Sequence, residues 1–197
     1  MGQGAVTKDK ILKAALKIFS QYGFEGARME KIAAEVGINK ASLYFHFKSK
    51  EIIFRELFQD IIGKYQTKLQ SIIEQSKGFS SKERLIRIYQ DYLKYHWNNT
   101  EMDFWNMIYY FPPQMMKDEI LQITIVNNET FIANLIMIME EGIQKKELKP
   151  LVAQSMAKSY YYLLTCISLS TDLMSLEQGI ADMDRSFEVL WDGIKGM

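Results

Sequence analysis

The chain has a single cysteine, Cys166, so no disulfide can close within it, and a reducing compartment fits that shortage. It has no net charge, 24 basic side chains against 24 acidic ones, which as a whole points to neither nucleic acid nor membrane. Alternation of strand period never lasts more than a few residues. No uncharged apolar run approaches the roughly 18 residues needed to cross a bilayer, and the opening "MGQGAVTKDK" lacks an apolar signal core. The expectation is a cytoplasmic protein with no membrane partner. Only two histidines occur, His46 and His96, and neither a metal-ligand spacing nor a glycine-rich phosphate loop is present. No catalytic residue, metal or cofactor is nominated. Cys166 reads as a small core residue, and His96 as a structural group near a helix end.

What the sequence does have is helical periodicity and an uneven charge. With 197 residues and 48% hydrophobic content, a sizeable core can form. Residues 1–50 carry nine basic and four acidic side chains, a local charge of +5, and the remainder carries −5. A basic quarter on an acidic body assigns polyanion contact to one part only. Apolar residues recur three and four apart nearly throughout, so the expected fold is all-α with about nine helices.

Thr7 is placed to cap a first helix with Ile11, Ala15, Ile18 and Tyr22 on its buried face, and Gly23 to end it with Phe24 folded back on Phe19. "RMEKIAAEVG" predicts a two-turn helix with Met29, Ile32, Ala33 and Val36 inward and Gly37 closing it. Asn39 caps the next, from Lys40 to about Phe47, with Leu43 and Phe47 buried. Two short helices around a glycine turn are the sequence form of a helix-turn-helix, whose second helix enters the major groove. The outward residues Lys40, Ala41, Ser42, Tyr44 and His46 suit a groove lined with phosphates, and Lys48 and Lys50 follow at the start of helix four. A plain core stripe is the competing explanation of "SLYFHF". It is accepted for Phe45 and Phe47, but fails for a segment that also carries Lys40, Ser42, His46, Lys48 and Lys50.

Residues 7 to about 58 resemble the DNA-binding region of the TetR family of bacterial transcriptional regulators. The likeness lies in "FSQYGFEGARMEKIAAEVGINKASLYFHFKSKEIIF", at Phe19, Gly23, Ile32, Ala33, Gly37, Leu43, Tyr44, Phe47 and Lys50. It implies a homodimer on a partly palindromic double-stranded DNA operator. Its DNA-binding domain spans residues 1–50, and a helical body, residues 51–197, binds a small effector and dimerises through the last two helices. Lys40, Ala41, Ser42, Tyr44 and His46 match the recognition-helix slots, and Lys50 matches the phosphate-binding lysine. The slot before the second helix usually holds a Thr or Ser cap. Here Ala27 and Arg28 stand there, leaving Arg28 to reach a phosphate itself.

In the body, a long helix from Ser49 to about Gln75 carries one apolar stripe from Ile53 to Ile73. Ser80 with Glu83, Asn98 with Glu101 and Ser175 with Gln178 have capping-box spacing. "MDFWNMIYYFPPQMM" gathers aromatic and methionine side chains around a Pro112-Pro113 break, material suited to an adaptable pocket as well as to a core. The expected pocket lining is Tyr65, Tyr89, Tyr92, Trp105, Tyr109, Met116 and Phe131 with Asn127 or Asn106 as polar anchor, for a lipophilic or aromatic effector. Tyr161, Tyr162, Thr165 and Leu169 are candidates to face a dimer partner or the monomer core. Together these features describe a ligand-responsive DNA-binding regulator, most simply a repressor. Two competitors remain: an architectural or division-control protein on the same fold without an effector, and a helical carrier or enzyme.

Overall fold

The computed structural model describes residues 3–170 and 173–196, with side chains from residue 8 onward. Among them are nine α-helices and one short 3-10 turn. The helices are α1 (Gln3–Gly26), α2 (Met29–Val36), α3 (Lys40–His46), α4 (Lys50–Gln75), α5 (Ser81–His96), α6 (Thr100–Tyr110), α7 (Lys117–Gln144), α8 (Ala153–Ser168) and α9 (Leu176–Ile194). The chain forms two compact units, residues 1–65 with 100–121, and residues 66–99 with 122–197.

In the first unit, α1 turns its Ile11, Ala14, Ala15, Ile18 and Phe19 side chains inward. Gly23 interrupts the helix with φ +65°, a conformation that carries almost no penalty only for glycine. Beyond this break Phe24 folds back, its ring 6.0 Å from that of Phe19. Phe54 on α4 meets Phe19 edge-on at 5.1 Å and Phe24 at 5.0 Å, and Phe104 of α6 lies 5.4 Å from Phe54. This aromatic cluster joins α1, α4 and α6 in the core of the first unit. All ten apolar residues of the α4 stripe, Ile53, Phe54, Leu57, Phe58, Ile61, Ile62, Tyr65, Leu69, Ile72 and Ile73, are buried.

The second unit packs α5, α8 and α9 together. Two of the three expected capping boxes form here: Ser80 with Glu83 starts α5, and Ser175 with Gln178 starts α9. The buried Tyr160 hydroxyl donates to the Leu85 carbonyl at 2.6 Å, and the Tyr89 hydroxyl donates to the exposed Asp184, linking three helices by polar bonds, the first inside the core and the second at its edge. Burial, first, and the facing Asp184 carboxylate push the Tyr89 phenol well above its ordinary value. His96 is buried in the last turn of α5, its ring stacked 4.0 Å from Tyr92, and this desolvation pushes its imidazole down to about 4.

Several expectations fail for identifiable reasons. α1 begins at Gln3, so Thr7 stands inside the helix instead of capping it, and the Thr7 side chain lies outside the described residues. Tyr22 is 49% exposed, with the Lys31 ammonium over its ring at 3.4 Å, because the chain breaks at Gly23 before the buried face continues. Asn98 takes φ +53° two residues before α6, so it is not that helix's cap; Glu101 accepts from Lys64 at 2.7 Å. Cys166 lies on the outer side of α8 and is exposed. Around Pro112-Pro113, Phe104, Trp105 and Met116 are buried, whereas Tyr109, Tyr110, Phe111 and Met115 face outward, since the break turns the end of α6 away from its core. By length and hydropathy alone residues 114–144 pass as a membrane span. Asn127, Asn128, Glu129 and Asn134 in the middle of that stretch are side chains that a bilayer interior penalises.

Candidate nucleic-acid interface and effector cavity

The local sequence builds the helix-turn-helix with little left to tertiary choice. α2 ends at Gly37, φ +77°, where the Ile38 N–H donates to the Ala33 carbonyl at 3.0 Å and the Gly37 N–H to Ala34 at 3.1 Å. These paired bonds are a Schellman closure. Asn39 then caps α3, its side-chain oxygen accepting from the Ser42 N–H at 2.8 Å. Leu43 and Phe47 anchor α3 to the core. Ser49 precedes α4 and accepts weakly from the Ile52 N–H at 3.5 Å; its hydroxyl also holds the Glu51 carboxyl below the usual range.

With that anchoring, Lys40, Ala41, Phe45 and Lys48 are exposed and Ser42, Tyr44 and His46 half-buried. Lys40 forms an ion pair with Glu30 of α2 and lies 5.7 Å over the Tyr44 ring. Their shared hydrogen bond, first, and their opposite charges hold Glu30 below the usual carboxylate range and Lys40 above its own. Arg28 is exposed and extended at the start of α2, and makes no side-chain cap bond.

Lys50 is oriented differently. Its ammonium donates to the carbonyls of Phe24 at 2.8 Å and Ala27 at 3.4 Å, and lies 4.4 Å over the Phe24 ring. It therefore ties the turn between α1 and α2 to the start of α4. Phe45, expected in the core, is 79% exposed. Two helical residues turn the chain through about 200°, so Phe45 points away from the side where Leu43 and Phe47 are held. The spacing already contained that answer, but the run of neighbouring aromatics obscured it.

The expected effector lining is spread over both units. Tyr65 and Trp105 stack at 5.8 Å within the first, where Met116 is also buried and Tyr109 is partly exposed. Tyr89, Tyr92, Asn127 and Phe131 belong to the second. Of these, Asn127 and Phe131 line one cavity, with Gln66, Leu69 and Gln70 of α4 and Thr130 and Asn134 of α7. It holds about 50 Å³, room for a few waters. Gln66 donates to the Asn127 side-chain oxygen at 2.6 Å, while the buried Asn127 Nδ2 has no partner among the described residues. Gln66 and Gln70 are four apart, and Asn127, Thr130 and Asn134 follow helical spacing. This polar stripe is legible in the sequence but overshadowed by the aromatic cluster.

Residues 11–57 match the family model described as bacterial regulatory proteins, tetR family. The HTH-type transcriptional regulator YerO of Bacillus subtilis is 36% identical over 78 residues, 40% of this chain and 27% of that protein. The HTH-type transcriptional regulator RutR of Escherichia coli is 35% identical over 81 residues, 41% of this chain and 38% of that one. The chain thus spans between a quarter and a half of the length of the curated relatives it matches. The solved structure of AibR in complex with isovaleryl coenzyme A and operator DNA aligns over 90% of this chain and 95% of its own, with a TM-score of 0.68 at 18% identity. That breadth extends the likeness of fold beyond the matched segment. By this matched segment and its helix-turn-helix, the N-terminal part of the chain is similar to the DNA-binding region of the tetR family of bacterial regulatory proteins.

Proposed function

We propose that the protein is a DNA-binding transcriptional regulator, a repressor released from a palindromic operator by a small effector. The observation that carries this reading is the outward surface of α3: Leu43 and Phe47 hold the helix from below, leaving Lys40, Ala41, Ser42, Tyr44, His46 and Lys48 presented with no large aliphatic among them. Side chains of this kind fit a groove whose walls are phosphates and whose floor is base edges. Residues 1–50 serve as the reader and residues 51–197 as sensor and dimerisation body.

The cavity beside Asn127 is the proposed effector site. Leu69 and Phe131 offer apolar contact, and the unpartnered Asn127 Nδ2 offers a buried donor. At 50 Å³ it must widen to accept more than a few atoms. Because α4 is continuous from Lys50 to Gln75, a ligand seated against Gln66, Leu69 and Gln70 acts on the helix whose first turns carry Phe54 into the reader's core. Shifting that helix changes the separation of two recognition helices in a dimer, and ligand then weakens operator binding. The dimer is proposed through α8 and α9, where Tyr162, Leu169 and Val189 are exposed apolar side chains suited to burial. Tyr162→Glu is expected to produce monomers in sedimentation; an unchanged dimer would place the interface elsewhere.

The small cavity also favours a second reading, a DNA-binding protein of this fold that uses no effector. Both are tested by selecting the full chain on a random duplex library at two salt concentrations. A palindromic site with a steep salt slope supports the regulator, and an Asn127→Leu variant that keeps operator affinity but loses its response to a screened compound supports the effector site. No enrichment would sink the DNA-binding reading.

A further inference from the structure

Within the helix-turn-helix the side chain that stands out is Phe45. It is 79% exposed, and its ring touches only the edge of His46, 5.5 Å away, among the ring contacts of this segment. Ala41 is also exposed and lies four residues earlier, so the two share one face of α3, opposite Leu43. The result is a short apolar stripe between cationic flanks, Lys40 on one side and Lys48 on the other. Residues 1–50 carry a charge of +5, which on the DNA-binding reading draws them to a polyanion, and this stripe lies on the outward face of α3.

An exposed phenyl ring is ill suited to phosphate or to the donor and acceptor edges of bases. The major groove has one apolar feature, the 5-methyl group of thymine. We propose that Phe45, with Ala41 beside it, reads a thymine methyl in each operator half-site and is a specificity-determining residue of this protein. The inference rests on the DNA-binding reading above and adds to it the identity of one base. It also explains why Phe45 is phenylalanine at a solvent-facing position: the ring leaves water only when the groove is occupied by a duplex with thymine at the right step.

The test uses the full chain and the duplex recovered by selection. Each thymine in turn is replaced by deoxyuridine, which removes the methyl and keeps every hydrogen-bonding group. One position per half-site is expected to weaken wild-type binding about fourfold, the size of burying one methyl-sized group. Phe45→Ala is expected to bind the thymine and uracil duplexes equally at that position, while its melting temperature stays that of the wild type. Phe45→Leu, which keeps an apolar group, is expected to retain part of the discrimination. If every thymine tolerates the exchange, or if Phe45→Ala still discriminates at the same position, the assignment is overturned while the regulator stands. If no duplex is enriched at all, the DNA-binding reading fails and this inference falls with it.

Discussion

The ammonium of Lys50 donates to the Phe24 carbonyl at 2.8 Å and sits 4.4 Å above the Phe24 ring. A side chain that the family resemblance assigns to phosphate is here bonded to the protein's own backbone. Lys50 and Lys48 should therefore respond differently to mutation. Lys50→Met is expected to cost about 1 to 2 kcal/mol of stability, as for loss of a partly buried charge-assisted bond, and to weaken binding to every duplex. Lys48→Ala is expected to leave the melting curve unchanged and to flatten the slope of log affinity against log salt by up to about 0.9. Thermal melts and a salt titration on both variants decide it; an unchanged melt for Lys50→Met would return Lys50 to a purely phosphate role.

The pair of Glu30 and Lys40 places a carboxylate beside the recognition helix. On the proposed DNA-binding reading, a duplex competes with Glu30 for the Lys40 ammonium. Glu30→Gln is expected to tighten operator and random duplex alike, by about two- to fivefold at low salt, the scale of an exposed ion pair, and the gain should fade as salt screens it. A gain confined to one sequence would argue against this account.

His96 gives the fold a pH dependence whose sign follows from its burial. Its folded value is about 4 against an ordinary 6.5. Above pH 6.5 the ring is neutral in both states and the protein keeps the full stability of this group. As pH falls from 6.5 to 4, the unfolded chain takes up a proton that the folded chain refuses, so stability declines, by about 3 kcal/mol over the window. Chemical denaturation across that range should show a steeper loss for wild type than for His96→Gln, whose side chain does not titrate. Parallel curves would show that His96 is not the source.

Gly179 and Trp97 are in close approach within the second unit. A Cβ at Gly179 would lie 2.5 Å from Trp97 Cη2, and the indole is held by its N–H bond to the Met174 carbonyl at 3.2 Å. Gly179→Ala is expected to cost about 1 to 3 kcal/mol through overpacking. Gly193 on the same helix has open space around it, and Gly193→Ala is expected to stabilise by up to about 1 kcal/mol through helix propensity. Melting temperatures moving in opposite directions would verify both; equal shifts would show that the indole yields.

Much of this protein is written locally. The α4 stripe, the Gly37 closure, the Asn39 cap and the boxes at Ser80 and Ser175 each depend on residues within about one or two turns of one another, and a helix places those by its period alone. The same periodicity assigned Leu43 and Phe47 to the inside of the recognition helix, and with them the outward position of Lys40, Ala41, Ser42 and Tyr44. Tertiary structure decided the rest. Period gives a residue its face on its own helix but not what that face meets. Tyr22 and Cys166 carry apolar or small side chains, yet they face outward because no neighbouring element covers them there. Lys50 turns inward because carbonyls of residues 24 and 27, more than twenty positions away, are brought within hydrogen-bond reach of it. The Asn127 cavity exists because α4 and α7, some sixty residues apart, bring two polar stripes together. Contacts between distant segments carry no local periodic signal, and they are where long polar side chains find their partners.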